Sequence, residues 1–345
     1  ITSSLLMAYP GAEGSTEEEM EEALGLSLPE SDVHAAYNAL DQQITSGTDT
    51  QSQPENGMIH VHQIWAQTGK EFQQAYLDIL AQFYGSDVHL LDFQADPEHC
   101  TDLINSWVAH QTDNAIHSLL PSEAVTSLTR LVLTGAILFQ APWKQPFPIE
   151  ETNHEPFYLL DGNITQVPMM RTEVRIPLTI QEDYTALKIG YDGEQFSMMI
   201  IMPSENLFEE FESGLDNTVI QDIQSKMQPH SVFLIMPQWE QSHYLPLKEV
   251  LMNSGLELAF SQNADFSGMD GTTELYISNI FHQAYVQVNE AGTRAAASSA
   301  VVMDAKDISR TQTEIRIDRP FLYMIIEEDT GVIVFLGRVL NPGEF

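Results

Sequence analysis

The order of apolar and polar positions divides the chain into a helical first third and a strand-rich remainder. After Ser31, the residues Val33, Ala36, Tyr37, Leu40 and Ile44 recur at three- and four-residue spacing, as one face of a helix does. Upstream, Thr16-Glu-Glu-Glu19 ahead of Met20 and Leu24 has the form of a capping box and predicts another helix start. Met58–Ala66 alternates instead, with Ile59, Val61, Gln63 and Trp65 to one side, which predicts a strand. Phe72–Tyr84 returns to helical spacing, and Asp96–Leu120 carries Leu103, Trp107, Ile116 and Leu119 before Pro121. Leu131–Phe139 is apolar at most positions and reads as a long buried strand.

From about residue 155 the pattern becomes short strands separated by turn signals. These are Asp161-Gly162, Asp192-Gly193 between Tyr184–Tyr191 and Phe196–Met202, Pro203-Ser204 and Asp270-Gly271. Leu207–Met227 and Leu247–Leu256 are helical interludes, whereas Tyr276–Val288, Glu314–Ile317, Phe321–Glu327 and Val332–Val339 are strand-like. No repeat or linker divides the chain, so the pattern predicts a single α+β domain over residues 1–345, its sheets combining distant segments. One stretch breaks the pattern: Asn289–Met303, NEAGTRAAASSAVVM, has no bulky apolar side chain before Val301 yet follows directly on a strand-like run. Its composition suits a linker, but its placement between strands predicts a loop with a function.

Composition narrows the choices. At 43% hydrophobic residues the chain has material for a sizeable core, and no apolar run reaches the roughly 20 residues that span a bilayer. A net charge of −36 argues against nucleic acid, anionic membranes and heparin-like polyanions as partners, because phosphate and sulfate binding need clustered Lys and Arg. The same acidity fits either a high-salt setting, where screening removes self-repulsion, or a bias of lineage. Cys100 is the only cysteine, so no internal disulfide can form. No signal peptide stands at the start, which opens at Ile1 inside an apolar, helix-like run. His60-Val-His62 puts two imidazoles on one strand face, but further ligands are not near in sequence, and a sheet-surface role is expected rather than a metal. Asn163-Ile-Thr165 is a glycosylation sequon. Neither a Gly-x-Ser-x-Gly nucleophile motif nor a phosphate loop occurs, so an enzyme is not expected, nor a cofactor.

Several segments, in order, resemble the serpins, the serine protease inhibitor family. They are the hinge-like NEAGTRAAASSAVV, the run Leu128–Phe139 leading to Trp143 and Pro146-Phe147, and the ending Arg319–Ile326 through Phe335–Pro342. Ile104-Asn-Ser-Trp-Val108 and Leu119-Leu-Pro121 add two more. The resemblance implies a serpin fold with three β-sheets, about eight to nine helices and an exposed reactive-centre loop at about 290–313. Measured against the family, the chain begins inside the second helix, so the first helix is expected to be absent from it.

The resemblance also implies a mechanism. A protease cleaves the bait as far as the acyl-enzyme, and the loop then enters the central sheet as a new strand before water can release the product. Small residues suit that passage. Thr293, Ala295, Ala297 and Ser299 would form the inward row, with Arg294, Ala296 and Ser298 outward, after Glu290 and Gly292 at the start of the hinge. Arg294 departs from the family, where an acid is usual. Counting seventeen residues from Glu290 puts the bait residue at Lys306, followed by Asp307, and Lys306 is one of only six lysines. A Lys there addresses a pocket with a carboxylate at its base, hence trypsin-like serine proteases. Arg310 and Met303 are the alternatives, Met303 shifting preference toward chymotrypsin-like enzymes. A non-inhibitory member, such as a carrier, chaperone or storage protein, is the rival reading. By resemblance, Trp143 is the tryptophan of the breach, where the hinge enters, and His282 sits in the shutter beneath the opening sheet. The asparagine that family members often pair with that histidine is replaced here by Gly135, so His282 is expected to meet water or another residue, or to be a plain core histidine. An inhibitor of this type is expected to be monomeric and extracellular or secreted.

Overall fold

The computed structural model describes residues 1–45, 57–294 and 313–343. These fall into two compact units, each assembled from separated stretches of chain. The first takes the described parts of Ile1–Ser46, Met58–Leu138 and Ser242–Tyr285, and the second those of Phe139–Gln241 and Val286–Phe345. Nine α-helices occur among the described residues: α1 (Thr2–Ala8), α2 (Ser15–Leu24), α3 (Glu30–Thr45), α4 (Gln74–Ile79), α5 (Pro97–Gln111), α6 (Phe208–Ser213), α7 (Asn217–Lys226), α8 (Leu247–Asn253) and α9 (Ser267–Asp270). The strands begin with β1 (Gly57–Gln67), β2 (Val88–Leu91), β3 (Leu131–Pro142), β4 (Asn153–Tyr158), β5 (Ile164–Ile180), β6 (Tyr184–Gly190) and β7 (Phe196–Pro203). They continue with β8 (Gln228–Pro237), β9 (Trp239–Pro246), β10 (Ile277–Val288), β11 (Gly292–Thr293), β12 (Thr313–Arg316), β13 (Phe321–Glu327) and β14 (Ile333–Val339).

In the first unit β1 pairs in parallel with β2, and β3 pairs in parallel with β10 from Leu131↔Ile277 to Leu138↔Tyr285. Side chains of β3 alternate between two cores, which explains why the strand is apolar at successive positions. Leu131 and Leu133 pack with Leu5, Met7, Tyr76 and Phe260, while Val132 and Ala136 pack with Trp65, Ile104 and Val108 of α5. In the second unit β12-β8-β5-β6-β7-β13-β14 form one ladder, with β4 on β5. β5 is 17 residues long. It pairs with β8 over Met169–Leu178 and with β6 only over Leu178–Ile180, so the second and third of the sheets that the resemblance implies share one continuous ladder. β13 is buried along its whole length.

Several local expectations change. Thr16 does not cap: α2 starts at Ser15 with Gly14 at its N-cap and no side-chain cap bond. Its buried hydroxyl instead accepts the Asp265 N–H at 2.9 Å, a tertiary contact that the local pattern could not distinguish from a cap. Leu207–Met227 is two helices because the chain breaks at Gly214 and Asp216 caps the second, accepting the Val219 N–H at 2.8 Å. Asp96–Leu120 is helical only to Gln111, since Asp113 and Asn114 take positive φ, and Ile116 and Leu119 reach the core from the loop. His60 and His62 share a face with ring centroids 4.8 Å apart, yet they are half-buried near α3 rather than on an open sheet surface. Among the described residues no three His, Cys, Asp or Glu gather as metal ligands. No described helix is long and apolar enough to cross a membrane.

Candidate functional site

In the second unit the chain leaves β10, makes a tight turn at Asn289 and returns as β11. Asn289 Oδ1 accepts the N–H groups of Ala291 (2.9 Å) and Gly292 (3.2 Å), and its own N–H donates to Gly292 O at 2.9 Å. This is the Asx-type geometry that a short polar side chain supports at a turn. β11 then enters between the ends of β3 and β10, antiparallel to both, with Thr293 opposite Ala141 and Val288 and Gly292 opposite Pro142. Gly292 is required by the close approach: a Cβ there would stand 2.1 Å from Ala141 O and 2.5 Å from Pro142 Cα, both main-chain atoms.

An aromatic stack covers this entry. Trp143 lies parallel to Tyr191 with centroids 4.6 Å apart and edge-on to Phe147. The Trp143 indole N–H donates to Asn289 O at 2.9 Å and its main-chain N–H to Ala291 O at 2.9 Å. Thr293 is completely buried, its Oγ1 2.7 Å from the Tyr191 hydroxyl. Burial pushes the Tyr191 hydroxyl pKa well above the usual tyrosine range, so the pair is neutral. Glu290 is anchored too: Oε1 accepts from Thr152 Oγ1 and Gln238 Nε2, each at 2.6 Å, and its carbonyl accepts the Phe147 N–H at 2.9 Å. Arg294, half-buried, has φ of 45°, and its N–H donates to Gln287 O at 2.7 Å.

Of the residues singled out in the sequence, the structure thus brings together Trp143, Glu290, Gly292, Thr293 and Arg294. Ala295, Ala296, Ala297, Ser298 and Ser299, and the bait positions Met303, Lys306, Asp307 and Arg310, lie outside the described residues. Tyr191, Thr152, Gln238 and the Asn289 turn were not apparent from the sequence. Only Asn289, a turn-former ahead of Gly292, and Tyr191, an aromatic whose hydroxyl needs a partner when buried, carried a signal.

In the first unit His282 stands opposite Gly135 in the β3–β10 register. A Cβ at Gly135 would lie 2.8 Å from His282 Nδ1 and 3.0 Å from Ser4 Oγ. The glycine therefore leaves room that the imidazole and the serine already fill. His282 Nδ1 and Ser4 Oγ are buried without a hydrogen-bond partner in the structure. Burial, reinforced by His60, lowers the His282 pKa to about 3 and keeps the ring neutral. The neighbouring Thr134 is engaged instead, accepting the Trp65 indole N–H at 2.9 Å.

Comparison with known proteins agrees with this geometry. The family model described as Serpin (serine protease inhibitor) matches residues 1–342. An uncharacterised serpin-like protein of Thermococcus kodakarensis is 34% identical over 344 residues, covering 99% of this chain and 79% of that one. Antithrombin-III of Mus musculus is 32% identical over 290 residues, 83% of this chain and 62% of the relative. The crystal structure of uncleaved ovalbumin superposes with a TM-score of 0.90 at 26% identity, over 99% of this chain and 91% of that chain. The chain belongs to the serpin family and has the serpin fold. Members of this family are mostly protease inhibitors rather than enzymes.

Proposed function

We propose that this chain is an irreversible, suicide-substrate inhibitor of trypsin-like serine proteases. The observation that carries the reading is β11: Gly292 and Thr293 occupy a strand position between β3 and β10, and beyond Arg294 the five residues Ala295–Ser299 are all small enough to follow. In this reading the protease serine attacks the Lys306 carbonyl, the Asp307 amine leaves, and the acyl-enzyme is trapped as residues after Thr293 add to the ladder. Each new main-chain hydrogen bond contributes about 1 kcal/mol net, so a strand of this length makes insertion effectively irreversible. Lys306 matches a carboxylate-based specificity pocket, which favours trypsin-like enzymes over chymotrypsin-like ones.

Incubation with trypsin is expected to give an SDS-stable covalent complex and a C-terminal fragment that begins at Asp307 by mass spectrometry. Turnover without complex would refute inhibition, while a fragment beginning at Asp304 or Thr311 would move the bait to Met303 or Arg310. Thr293→Arg should convert inhibitor to substrate, because a guanidinium would have to replace a fully buried hydroxyl.

A further inference from the structure

We infer that α3 is held to the first unit by an acid-labile clasp made of His34, His62 and Tyr84. This is independent of the protease reading and rests on contacts within one unit. From α3, His34 is buried with its ring against Tyr9 (centroids 6.0 Å), Phe83 (6.1 Å) and Tyr84 (5.7 Å), and its Nδ1 lies 2.6 Å from the Tyr84 hydroxyl. Tyr37 stacks on the same tyrosine at 5.5 Å, and Asn38 Nδ2 donates to Phe83 O at 2.7 Å. From β1, His62 Nε2 is 3.2 Å from the Tyr84 main-chain oxygen, with its ring edge-on to Tyr84. Tyr84 therefore takes one histidine on its hydroxyl and another on its carbonyl.

The tautomer of His62 follows from its partner. A carbonyl only accepts, so His62 carries its proton on Nε2, and Nδ1 is a bare lone pair, buried and without a hydrogen-bond partner. His34 Nε2 is likewise buried without a hydrogen-bond partner, the Glu30 Oε1 standing 3.9 Å away. A second proton on His62 would point a charged donor at a site with no acceptor, and one on His34 Nδ1 would make the Tyr84 hydroxyl accept instead of donate, so that the hydroxyl proton loses its acceptor.

The surrounding charges do not reverse this. Glu30 of α3 faces His34, and Glu17 and Glu21 of α2 with Glu13 lie around Glu30, Glu21 being engaged by the Tyr9 hydroxyl at 2.7 Å. Asp41, 3.5 Å from His60 Nδ1, favours a cation at His62, whereas His60 opposes one. Burial outweighs the carboxylates and lowers both His34 and His62 to about 4. An undocked histidine titrates near 6.5, so between that pH and about 4 the released state binds protons that the docked state refuses. Docking of α3 is thus complete above pH 6.5 and weakens as the pH falls.

The test is hydrogen exchange of the whole protein followed by mass spectrometry at pH 7.5 and 4.5, with rates corrected for intrinsic pH dependence. Protection of Glu30–Thr45 should fall at least about tenfold, the equivalent of one pKa unit, while Phe321–Glu327 stays unchanged. Equal α3 protection at both pH values would overturn the clasp. A His34→Phe/His62→Phe double variant should lose the acid response, and a folded double variant that keeps it would also overturn the idea. Should that variant not fold, side-chain nitrogen NMR of the unaltered protein decides: both rings neutral at pH 5.5 supports the clasp, and titration near 6.5 refutes it.

Discussion

The hydroxyl pair of Tyr191 and Thr293 is a contact between two buried, neutral groups, so its removal is asymmetric in its effects. Tyr191→Phe keeps the stack on Trp143 but leaves Thr293 Oγ1 buried without its partner, which costs about 1–3 kcal/mol. Adding Thr293→Val removes the stranded group as well and should recover most of the loss. Urea unfolding of the single and double variants measures this, and equal stability of the two would show that the hydroxyl pair contributes nothing. Gly135→Ala is a test of a different kind, since a methyl group would press on His282 and Ser4 in a filled site. Overpacking of that order destabilises by about 1–3 kcal/mol, and an unchanged melting temperature would mean that the two side chains can move apart.

Among the elements, those fixed by nearest-neighbour chemistry were legible in the sequence. The β6–β7 hairpin lies where Asp192-Gly193 placed it, with Gly193 at φ of 80° and Gly190 opposite Ser197. β3 was legible because burial on both faces leaves no polar alternation. What the sequence could not supply was partners brought from far along the chain. Thr16 looked like a cap until Asp265 supplied its N–H, and His34 was absent from the face of α3 because that face was counted from apolar side chains alone. Glu290 was singled out in the sequence, but Thr152 and Gln238, which hold it, were not. True caps can be told apart by substitution. Asp96 accepts the His99 N–H at 3.0 Å ahead of α5, and Asp216 does the same for α7, so Asp→Ala at either should cost about 1 kcal/mol. Chemical denaturation that detects no loss in either variant would contradict those cap assignments.

At the scale of the whole molecule the dominant quantity is charge. Fifty acidic residues against fourteen basic ones leave a net −36. Much of the scarce positive charge is already committed locally: Lys70 with Asp270 and Glu274, Lys188 with Glu328, Lys226 with Asp222, Arg338 with Glu212. Apart from Lys70 with the buried Asp270, these pairs are partly exposed and contribute about 0–1 kcal/mol each, whereas the surplus carboxylates repel one another over the unscreened distance. That distance shrinks from about 10 Å in 0.1 M salt to about 3 Å in 1 M. Screening weakens both the pairs and the repulsion, but the pairs are few and the surplus is large, so repulsion loses more. Adding sodium chloride from 0.1 to 1 M at pH 7.5 should therefore raise the melting temperature. The measurement is made at pH 7.5 because acid acts in two directions: it neutralises surface carboxylates, and it also charges the released forms of His34, His62 and His282. All three have folded pKa values below the ordinary one, so their contribution is complete above pH 6.5 and declines below it. A melting temperature that stays flat or falls with salt at pH 7.5 would mean that the ion pairs outweigh the self-repulsion.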